Sequence, residues 1–247
     1  MIPITLNRDN SLHWLRFGST ELVRVLKALM VGERGRELAV TRYVEQDATA
    51  GDPQSVIASM DAFAKERRFL MNVGGEKGDI LLDELISVRA KRVLELGAYC
   101  GYSAVLMGDY LKRTGGKLVS IEANPRNAEM AQRVVNHAGL GEVVEFKLGK
   151  GSERIPDLEE PFDLVFIDHW KDDYLSDLKA LEERGLLAPG ARIVADNVGI
   201  FSKTLEPYLT YVRESECYES VHYRTQMEYS DDISDGVEVS VWKGSKH

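Results

Sequence analysis

The feature that most constrains the fold is a regular alternation of short β-rich runs and amphipathic stretches after Gly78. The predicted strands are Arg92–Leu96, Leu118–Glu122, Val143–Leu148, Leu164–Asp168 and Arg192–Asp196. The predicted helices between them are Ser103–Arg113, Arg126–Ala138, Ser152–Leu158 and Tyr174–Arg184. Parallel strands need long crossover connections, so this order predicts a parallel sheet that helices cover on both faces.

The end of the chain departs from that alternation. Tyr218–Tyr223 and Val237–Trp242 are both strand-like, and only the loop Gln226–Gly236 separates them. A direct connection of this kind predicts an antiparallel hairpin at one edge of the sheet. The expected fold class is therefore α/β, with a doubly wound, mostly parallel seven-stranded sheet and a C-terminal antiparallel hairpin.

Residues 1–33 are predicted to be an N-terminal extension, and residues 34–247 a single domain. The apolar stretch at residues 22–30 contains two cations, so it is not a membrane-spanning helix. It is interpreted as an amphipathic helix that packs on the domain or on a partner chain, and peripheral membrane attachment is the alternative. The apolar face of this helix would comprise Leu22, Leu26, Leu29 and Met30.

Two further helices are predicted before the alternation begins, at Arg36–Glu45 and Gln54–Phe69. Gly51 and the residues after it mark the break between them. Asp52 is suited to cap the second helix, with Pro53 at its first position.

The composition excludes several classes of partner. The 247 residues include 40 acidic and 31 basic side chains, which gives a net charge of −9. This sign is wrong for binding nucleic acid or an anionic membrane surface. Two cysteines, Cys100 and Cys217, suit a reducing compartment, and no targeting segment is apparent, so a cytoplasmic protein is expected. The expected partner is a small molecule, and the expected state a monomer or weak dimer.

A glycine-rich turn follows the first predicted strand. Gly97 and Gly101 are spaced G-x-x-x-G and lack the third glycine of a dinucleotide site. Glu95 lies on the strand just before the turn, where an acid suits a ligand with an ammonium group. Glu122 ends the second strand, where an acid can bind both hydroxyls of a ribose. Together these residues predict a site for a nucleoside-containing cofactor.

Acidic residues follow the fourth and fifth predicted strands. Asp168 ends one strand, and Asp196 and Asn197 end the other. Because the carboxyl ends of parallel strands meet at one edge of a sheet, we expect these side chains to converge. Two carboxylates and an amide oxygen form a ligand set that suits Mg²⁺.

The residues directly after Asp168 supply further candidates. Lys171 is the candidate general base, since a nearby dication favours its uncharged amine. His169 is interpreted as a hydrogen-bonding neighbour rather than a metal ligand. Trp170 offers a flat wall for a ring, and packing in the core is an equal alternative.

At these motifs the sequence resembles the catechol O-methyltransferase family, within the Rossmann-like class I S-adenosylmethionine-dependent methyltransferases. The resemblance covers residues 34–244. The segments that carry it are Gly51-Asp52-Pro53-Gln54-Ser55, Met71-Asn72-Val73-Gly74, Leu94 to Ser103, Asp168-His169-Trp170-Lys171, Ala195-Asp196-Asn197-Val198 and Glu228-Tyr229.

The resemblance implies roles for the matching positions. Mg²⁺ would be held by Asp168, Asp196 and Asn197, and Lys171 would accept the proton of the hydroxyl that is methylated. The catechol would meet Lys171, Asn197 and Glu228. The residues implied around S-adenosylmethionine are Val73, Glu95, Gly97, Tyr99, Ser103, Glu122, Ala123, Ser152, Asp168, His169 and Trp170.

This chain departs from the family pattern at four places. Phe69 stands where the family usually has Trp, and Phe201 replaces a Pro beside the catechol. Gly151-Ser152 replaces a Ser-Gln pair near the adenine, and the hairpin loop from Glu228 is one residue longer. We expect the chemistry to survive these changes and the substrate preference to shift, with Phe69 and Phe201 lining the substrate.

Three other interpretations are open at this point. The first is a related cation-dependent O-methyltransferase that acts on another vicinal diol, such as a caffeoyl-type ester or a flavonoid. The second is a nicotinamide dehydrogenase, which the missing third glycine disfavours. The third is a non-catalytic protein that binds a partner through residues 1–33, which the intact set of metal, base and cofactor positions disfavours.

Overall fold

The computed structural model describes residues 11–30, 35–230 and 232–244. The strands are β1 (Arg92–Leu96), β2 (Lys117–Glu122), β3 (Val144–Leu148), β4 (Phe162–Ile167), β5 (Leu187–Ala195), β6 (Tyr218–Gln226) and β7 (Ser234–Trp242). The helices are α1 (Ser11–Met30), α2 (Arg36–Asp47), α3 (Pro53–Glu66), α4 (Gly74–Ser87), α5 (Tyr102–Thr114), α6 (Pro125–His137), α7 (Gly151–Arg154), α8 (Tyr174–Glu183) and α9 (Glu206–Glu214).

The seven strands form one sheet in the order β3-β2-β1-β4-β5-β7-β6. The first five strands pair in parallel, and β7 runs antiparallel to both β5 and β6. The prediction of a doubly wound sheet with a terminal hairpin is confirmed. The strand order reverses between β1 and β4, which is where ligands bind in sheets of this class.

Both faces of the sheet are buried. Val93, Leu164 and Val194 face a core formed with α2 to α6, whereas Leu94 and Ile193 belong to a second core on the opposite face. Side chains alternate between the two faces along each strand, and the central strands are apolar on both. This packing fixes the strand ends and therefore the positions of the residues that follow them.

The helix predictions are correct in part. Asp52 caps α3 by accepting hydrogen bonds from the next two backbone N–H groups, and Pro53 is its first residue, as expected. The predicted helix at Ser152–Leu158 is shorter, because α7 gives way to a 3₁₀ turn at Ile155–Asp157 that contains a proline. The sequence interpretation missed α4 and α9.

The missed helix α4 begins with two glycines, Gly74 and Gly75, which are poor helix formers. The predicted extension at residues 1–33 does contain a helix, α1, but Leu22 on its expected packing face is exposed. The side chains of Leu26, Leu29 and Met30 lie outside the described residues, and the division into an extension and one domain stays a prediction. None of the described helices is long and apolar enough to cross a membrane.

Candidate active site

The turn after β1 lies against the end of β4. Gly97 has a φ of 99°, and a Cβ atom at this position would lie 2.4 Å from the carbonyl oxygen of Asp168. The Asp168 N–H donates to the Leu96 carbonyl at 2.9 Å. Only glycine allows this approach. The glycine-rich turn and the first predicted metal ligand therefore meet at the point where the strand order reverses.

Glu95 is fully buried beside this turn. Its carboxylate accepts hydrogen bonds from the hydroxyls of Ser103 on α5 and Ser120 on β2. Burial raises the pKa of Glu95 to about 7, although the two hydroxyl donors act in the opposite direction. No salt bridge in the described ranges reaches Glu95. A cationic group of a ligand would therefore stabilise the ionised form strongly.

Glu122 is buried at the end of β2 and holds the turn from the other side. One carboxylate oxygen accepts from the N–H groups of Ala98 at 3.1 Å and Tyr99 at 3.0 Å, and the other accepts from Asn124 at 2.7 Å. Tyr99 has a positive φ of 46°, and its hydroxyl lies 3.4 Å from a carboxylate oxygen of Glu37 on α2. These bonds bring the predicted cofactor residues of β1 and β2 together.

His169 is held by a carboxylate that the sequence interpretation missed. Its Nε2 lies 2.8 Å from Oδ2 of Asp177 on α8, and its ring stacks on Tyr174 at 5.2 Å. A Cβ atom at Gly151 would lie 1.9 Å from the same Asp177 oxygen, so a glycine must stand there. The prediction of a hydrogen-bonding role for His169 fits this contact.

The predicted adenine residues near His169 are open to solvent. Ser152, Ala123 and Trp170 are exposed, and the exposed fraction of Trp170 is 54%. Core packing of Trp170, which the sequence left as an alternative, is wrong. The Nδ1 atom of His169 is buried and has no hydrogen-bond partner in the described part of the chain. A ligand on this side could bind the unpaired Nδ1 of His169 and pack on the exposed ring of Trp170.

Lys171 lies between an acid and a tyrosine. Its Nζ donates to Oδ1 of Asp168 at 2.9 Å and to the Tyr174 hydroxyl at 2.7 Å. The Tyr174 hydroxyl donates in turn to the carbonyl oxygen of Asp196 at 3.2 Å. Burial raises the pKa of Tyr174 well above its usual value, so the phenol stays protonated and orients the lysine. The ring centre of Phe201 lies 5.6 Å from the Lys171 Nζ.

A buried lysine that the sequence interpretation missed lies beside Asp196. Lys77 on α4 forms salt bridges to Asp196 at 2.8 Å, Glu228 at 3.0 Å and Asp235 at 2.9 Å. All four side chains are almost completely buried. The three acids are more than 100 positions away in the chain, so no local pattern in the sequence indicates this cluster.

The acids at this edge of the sheet outnumber the cations. Four carboxylates, Asp168, Asp196, Glu228 and Asp235, face two ammonium groups, so full ionisation of the acids would leave two negative charges uncompensated. Burial raises the pKa of Asp196 to about 8; Lys77 opposes this shift, and the neighbouring carboxylates add to it. A divalent cation would remove this excess of negative charge.

The donor set fits Mg²⁺. Asn197 has a positive φ of 60°, and its Nδ2 donates to Asp235 at 3.1 Å, which leaves its amide oxygen as an acceptor. The described residues contain no group of three or more acids, histidines or cysteines that could hold a metal ion. The predicted set would instead offer two carboxylates and one amide oxygen, completed by water or substrate, and all of these are oxygen donors of the kind that Mg²⁺ prefers.

The segment before α4 and the terminal hairpin form the remaining side of the site. A Cβ atom at Gly74, whose φ is 71°, would lie 3.0 Å from Cβ of Glu228. Val73 is buried next to this contact. The Tyr229 hydroxyl accepts from Asn72 at 3.1 Å and donates to Asp61 on α3. These contacts fix the hairpin residue Glu228 against the start of α4.

A family model described as O-methyltransferase matches residues 47–227 of this chain. The chain belongs to the O-methyltransferase family. It is 40% identical to catechol O-methyltransferase B of Danio rerio over 249 residues, which cover 99% of this chain and 92% of the relative. It is 42% identical to catechol O-methyltransferase of Mus musculus over 214 residues, which cover 85% of this chain and 79% of the relative.

Solved structures of O-methyltransferases share the fold. TomG from Streptomyces achromogenes, solved with S-adenosylmethionine, has a TM-score of 0.67 and 23% identity, over 76% of this chain and 90% of its own. An enzyme from Bacillus cereus, solved with S-adenosylhomocysteine, has a TM-score of 0.64 and 23% identity, over 83% of this chain and 97% of its own. The family match excludes the nicotinamide dehydrogenase interpretation.

Proposed function

We propose that this protein transfers the methyl group of S-adenosylmethionine to one hydroxyl of a catechol. The observation that carries the proposal is the arrangement of Lys171, Asp168 and Asp196 at the same sheet edge as Glu95. In this arrangement a proton acceptor and a Mg²⁺ ligand set would lie near a buried carboxylate that has hydroxyl donors and, among the described residues, no cation. The names of the relatives, which are catechol O-methyltransferases, support this substrate class.

The cofactor would lie across the turn after β1. Glu95 would face the ammonium of its methionine part, because this buried carboxylate has hydroxyl donors but no cation in the described part of the protein. Glu122 would face the ribose, and the unpaired Nδ1 of His169 lies on the side proposed for adenine. The other residues proposed around the cofactor are Val73, Gly97, Tyr99, Ser103, Ala123, Ser152, Asp168 and Trp170.

Asp168, Asp196 and Asn197 would hold Mg²⁺, which supplies Lewis acidity that makes a neighbouring hydroxyl easier to deprotonate. Lys171 would accept the hydroxyl proton at Nζ, once Asp168 is engaged elsewhere and Lys171 is an uncharged amine. The oxygen then forms a bond to the methyl carbon while the carbon–sulfur bond of the sulfonium breaks. The bond electrons remain on sulfur, so the products are a methyl ether and a neutral thioether.

The catechol would lie between the hairpin and two aromatic side chains. Glu228 and Asn197 would meet its hydroxyls, with Glu228 fixed in place by Lys77. Phe69 and Phe201 would line the ring. A second hydroxyl adjacent to the first gives the substrate two oxygens for the cation, so a phenol with one hydroxyl should be a poor substrate.

The test is transfer of a labelled methyl group from S-adenosylmethionine to a small catechol, with EDTA and after added Mg²⁺. We expect EDTA to abolish turnover and Mg²⁺ to restore it. Lys171→Ala should lower kcat by about 10²–10⁴-fold and leave cofactor affinity near normal. The matched control is Lys179→Ala, which alters an exposed lysine on α8, the helix that follows Lys171.

Each part of the proposal has its own contrary outcome. Turnover that EDTA does not change would remove the metal, and a near-normal kcat in Lys171→Ala would remove that lysine as the base. Methyl transfer to a caffeoyl ester or a flavonoid but not to a simple catechol would favour the related enzyme class. No transfer to any vicinal diol would favour a non-catalytic protein.

A further inference from the structure

Helix α1 lies before the family match, which begins at residue 47. It nevertheless contacts Phe69, which is proposed to line the substrate. The ring of Phe17 on α1 meets the ring of Phe69 edge-on, with centroids 5.0 Å apart and an interplanar angle of 90°. Glu21, one turn further along α1, accepts a hydrogen bond from the Phe69 N–H at 3.0 Å. Both the side chain and the backbone of Phe69 are therefore held by α1.

Further bonds lock the same segment. Arg24 pairs with Glu21 at 2.7 Å and donates to the carbonyl oxygen of Lys65 at 2.6 Å. Arg36 on α2 donates to the carbonyl oxygen of Phe69 at 2.9 Å. Hydrogen bonds between charged and neutral groups are stronger than neutral ones. The peptide groups on both sides of Phe69 are thus fixed by charged side chains from two helices.

The other end of α1 reaches the terminal hairpin. Nδ1 of His13 lies 3.4 Å from the Asp232 carboxylate, in the loop that follows Glu228. The rings of Trp14, Phe17, Phe69 and Tyr229 form a chain of edge-to-face pairs at 6.0, 5.0 and 6.3 Å. Helix α1 therefore connects the two segments that carry Phe69 and Glu228.

The opposite face of α1 has a different character. Leu15, Leu22 and Val23 are more than half exposed, whereas Trp14 and Phe17 are partly buried. Aromatic and charged residues of α1 pack on the domain, whereas Leu22, the one described side chain of the predicted face, does not. This difference provides substitutions on the same helix that leave the contact with Phe69 intact.

We propose that α1 is a specificity element of the substrate site, with Phe17 and Glu21 as positioning residues that act through Phe69. A catechol with one ring substituent can present either hydroxyl to the methyl donor. The Phe69 side chain, held in one position, favours one of these two orientations. Loss of Phe17 or Glu21 lets the Phe69 side chain move, so both orientations of the catechol become accessible. This inference rests on the proposed function.

The test uses the full chain and a catechol with one substituent at the 4 position. The variants are Phe17→Ala, Glu21→Ala and the milder pair Phe17→Leu and Glu21→Gln, with Leu15→Ala as the control. For each we measure the ratio of the two O-methyl products and KM for the catechol and for S-adenosylmethionine. A Gln at position 21 keeps an acceptor oxygen, so it should restore the wild-type ratio that Ala loses.

We expect Phe17→Ala and Glu21→Ala to change the product ratio about two- to tenfold, the range expected for losing an aromatic pair. KM for the catechol should rise, whereas KM for S-adenosylmethionine should stay unchanged. Wild-type ratios in both alanine variants, or an equal change in Leu15→Ala, would overturn the role of α1. A wild-type protein that methylates no catechol would instead refute the proposed function.

Discussion

Two buried carboxylates of the site, Glu95 and Asp196, differ in how the chain compensates their charge. Burial raises the pKa of both, to about 7 for Glu95 and about 8 for Asp196. Among the described residues, Glu95 receives hydrogen bonds from hydroxyl groups alone, whereas Asp196 lies 2.8 Å from the ammonium of Lys77. The chain therefore has its own cation at one carboxylate and leaves the other to a ligand.

This difference separates two tasks within one site. At Asp196, Lys77 binds three acids that are distant from it in the chain, so the side of the site proposed for the substrate is held by salt bridges within the protein. At Glu95, the cost of burying a charge remains until a cationic group arrives, so binding and ionisation are coupled. Substitutions at the two places should therefore affect different properties, namely folding at Lys77 and proton linkage at Glu95.

The largest effect is expected from Lys77→Met. Removal of the ammonium leaves Asp196, Glu228 and Asp235 buried without their cation, which should lower the free energy of unfolding by about 3–5 kcal/mol. Urea denaturation in metal-free buffer measures this loss. The control is Lys203→Met at an exposed position. Equal midpoints for the two variants would show that the cluster does not depend on Lys77.

The next effect concerns Glu95 and pH. The folded protein keeps a proton on Glu95 up to about pH 7, whereas an unfolded chain loses it near 4.5. Stability contributed by this group is therefore present below 4.5 and is lost as pH rises to about 7, by about 3 kcal/mol in total. Glu95→Gln should remove this loss, so the variant should gain stability relative to wild type across that window.

The measurement is urea unfolding of both proteins, without cofactor, at several pH values between 4.5 and 8. Glu214→Gln, an exposed change on α9, is the control for general charge effects. A constant difference in stability between wild type and Glu95→Gln at all pH values would mean that Glu95 is ionised in the folded protein without a ligand.

The two carboxylates also differ in how much the sequence indicates about them. Glu95 stands in a strand before a glycine-rich turn, and Asp196 ends an apolar strand, so periodicity and strand order are enough to predict both locations. Lys77 has no such local signal, because its burial depends on three acids, one directly after β5 and two in the terminal hairpin. Lys77 lies on α4, and the two glycines at the start of this helix weaken its helical pattern in the sequence.

The same reasoning applies to contacts between elements. Asp177 can bind His169 because the glycine at 151 leaves room for its carboxylate. The packing of Phe17 on Phe69 depends on where α1 lies, which helical periodicity alone does not determine. Local patterns therefore predict which strand ends carry the chemistry, and long-range packing determines which side chains support them.

The smallest effect is expected for Tyr174→Phe, in comparison with Tyr208→Phe. The two buried tyrosine rings pack edge to face with centroids 5.7 Å apart. The hydroxyl of Tyr174 binds Lys171 and the carbonyl of Asp196, whereas that of Tyr208 has no partner in the described residues. Removal of the first should cost about 1 kcal/mol of stability, and removal of the second should be neutral or slightly stabilising.

This pair of variants also tests how Lys171, the proposed base, is positioned. Without the Tyr174 hydroxyl, the Lys171 Nζ loses one of the two hydrogen bonds that it makes to described residues, so kcat should fall severalfold while KM for S-adenosylmethionine stays the same. Tyr208→Phe should leave kcat unchanged. Thermal or urea unfolding together with initial rates on a catechol measure both effects. If the two variants behave alike, Lys171 is positioned without the Tyr174 hydroxyl, and the neutral phenol has no part in aligning the proposed base.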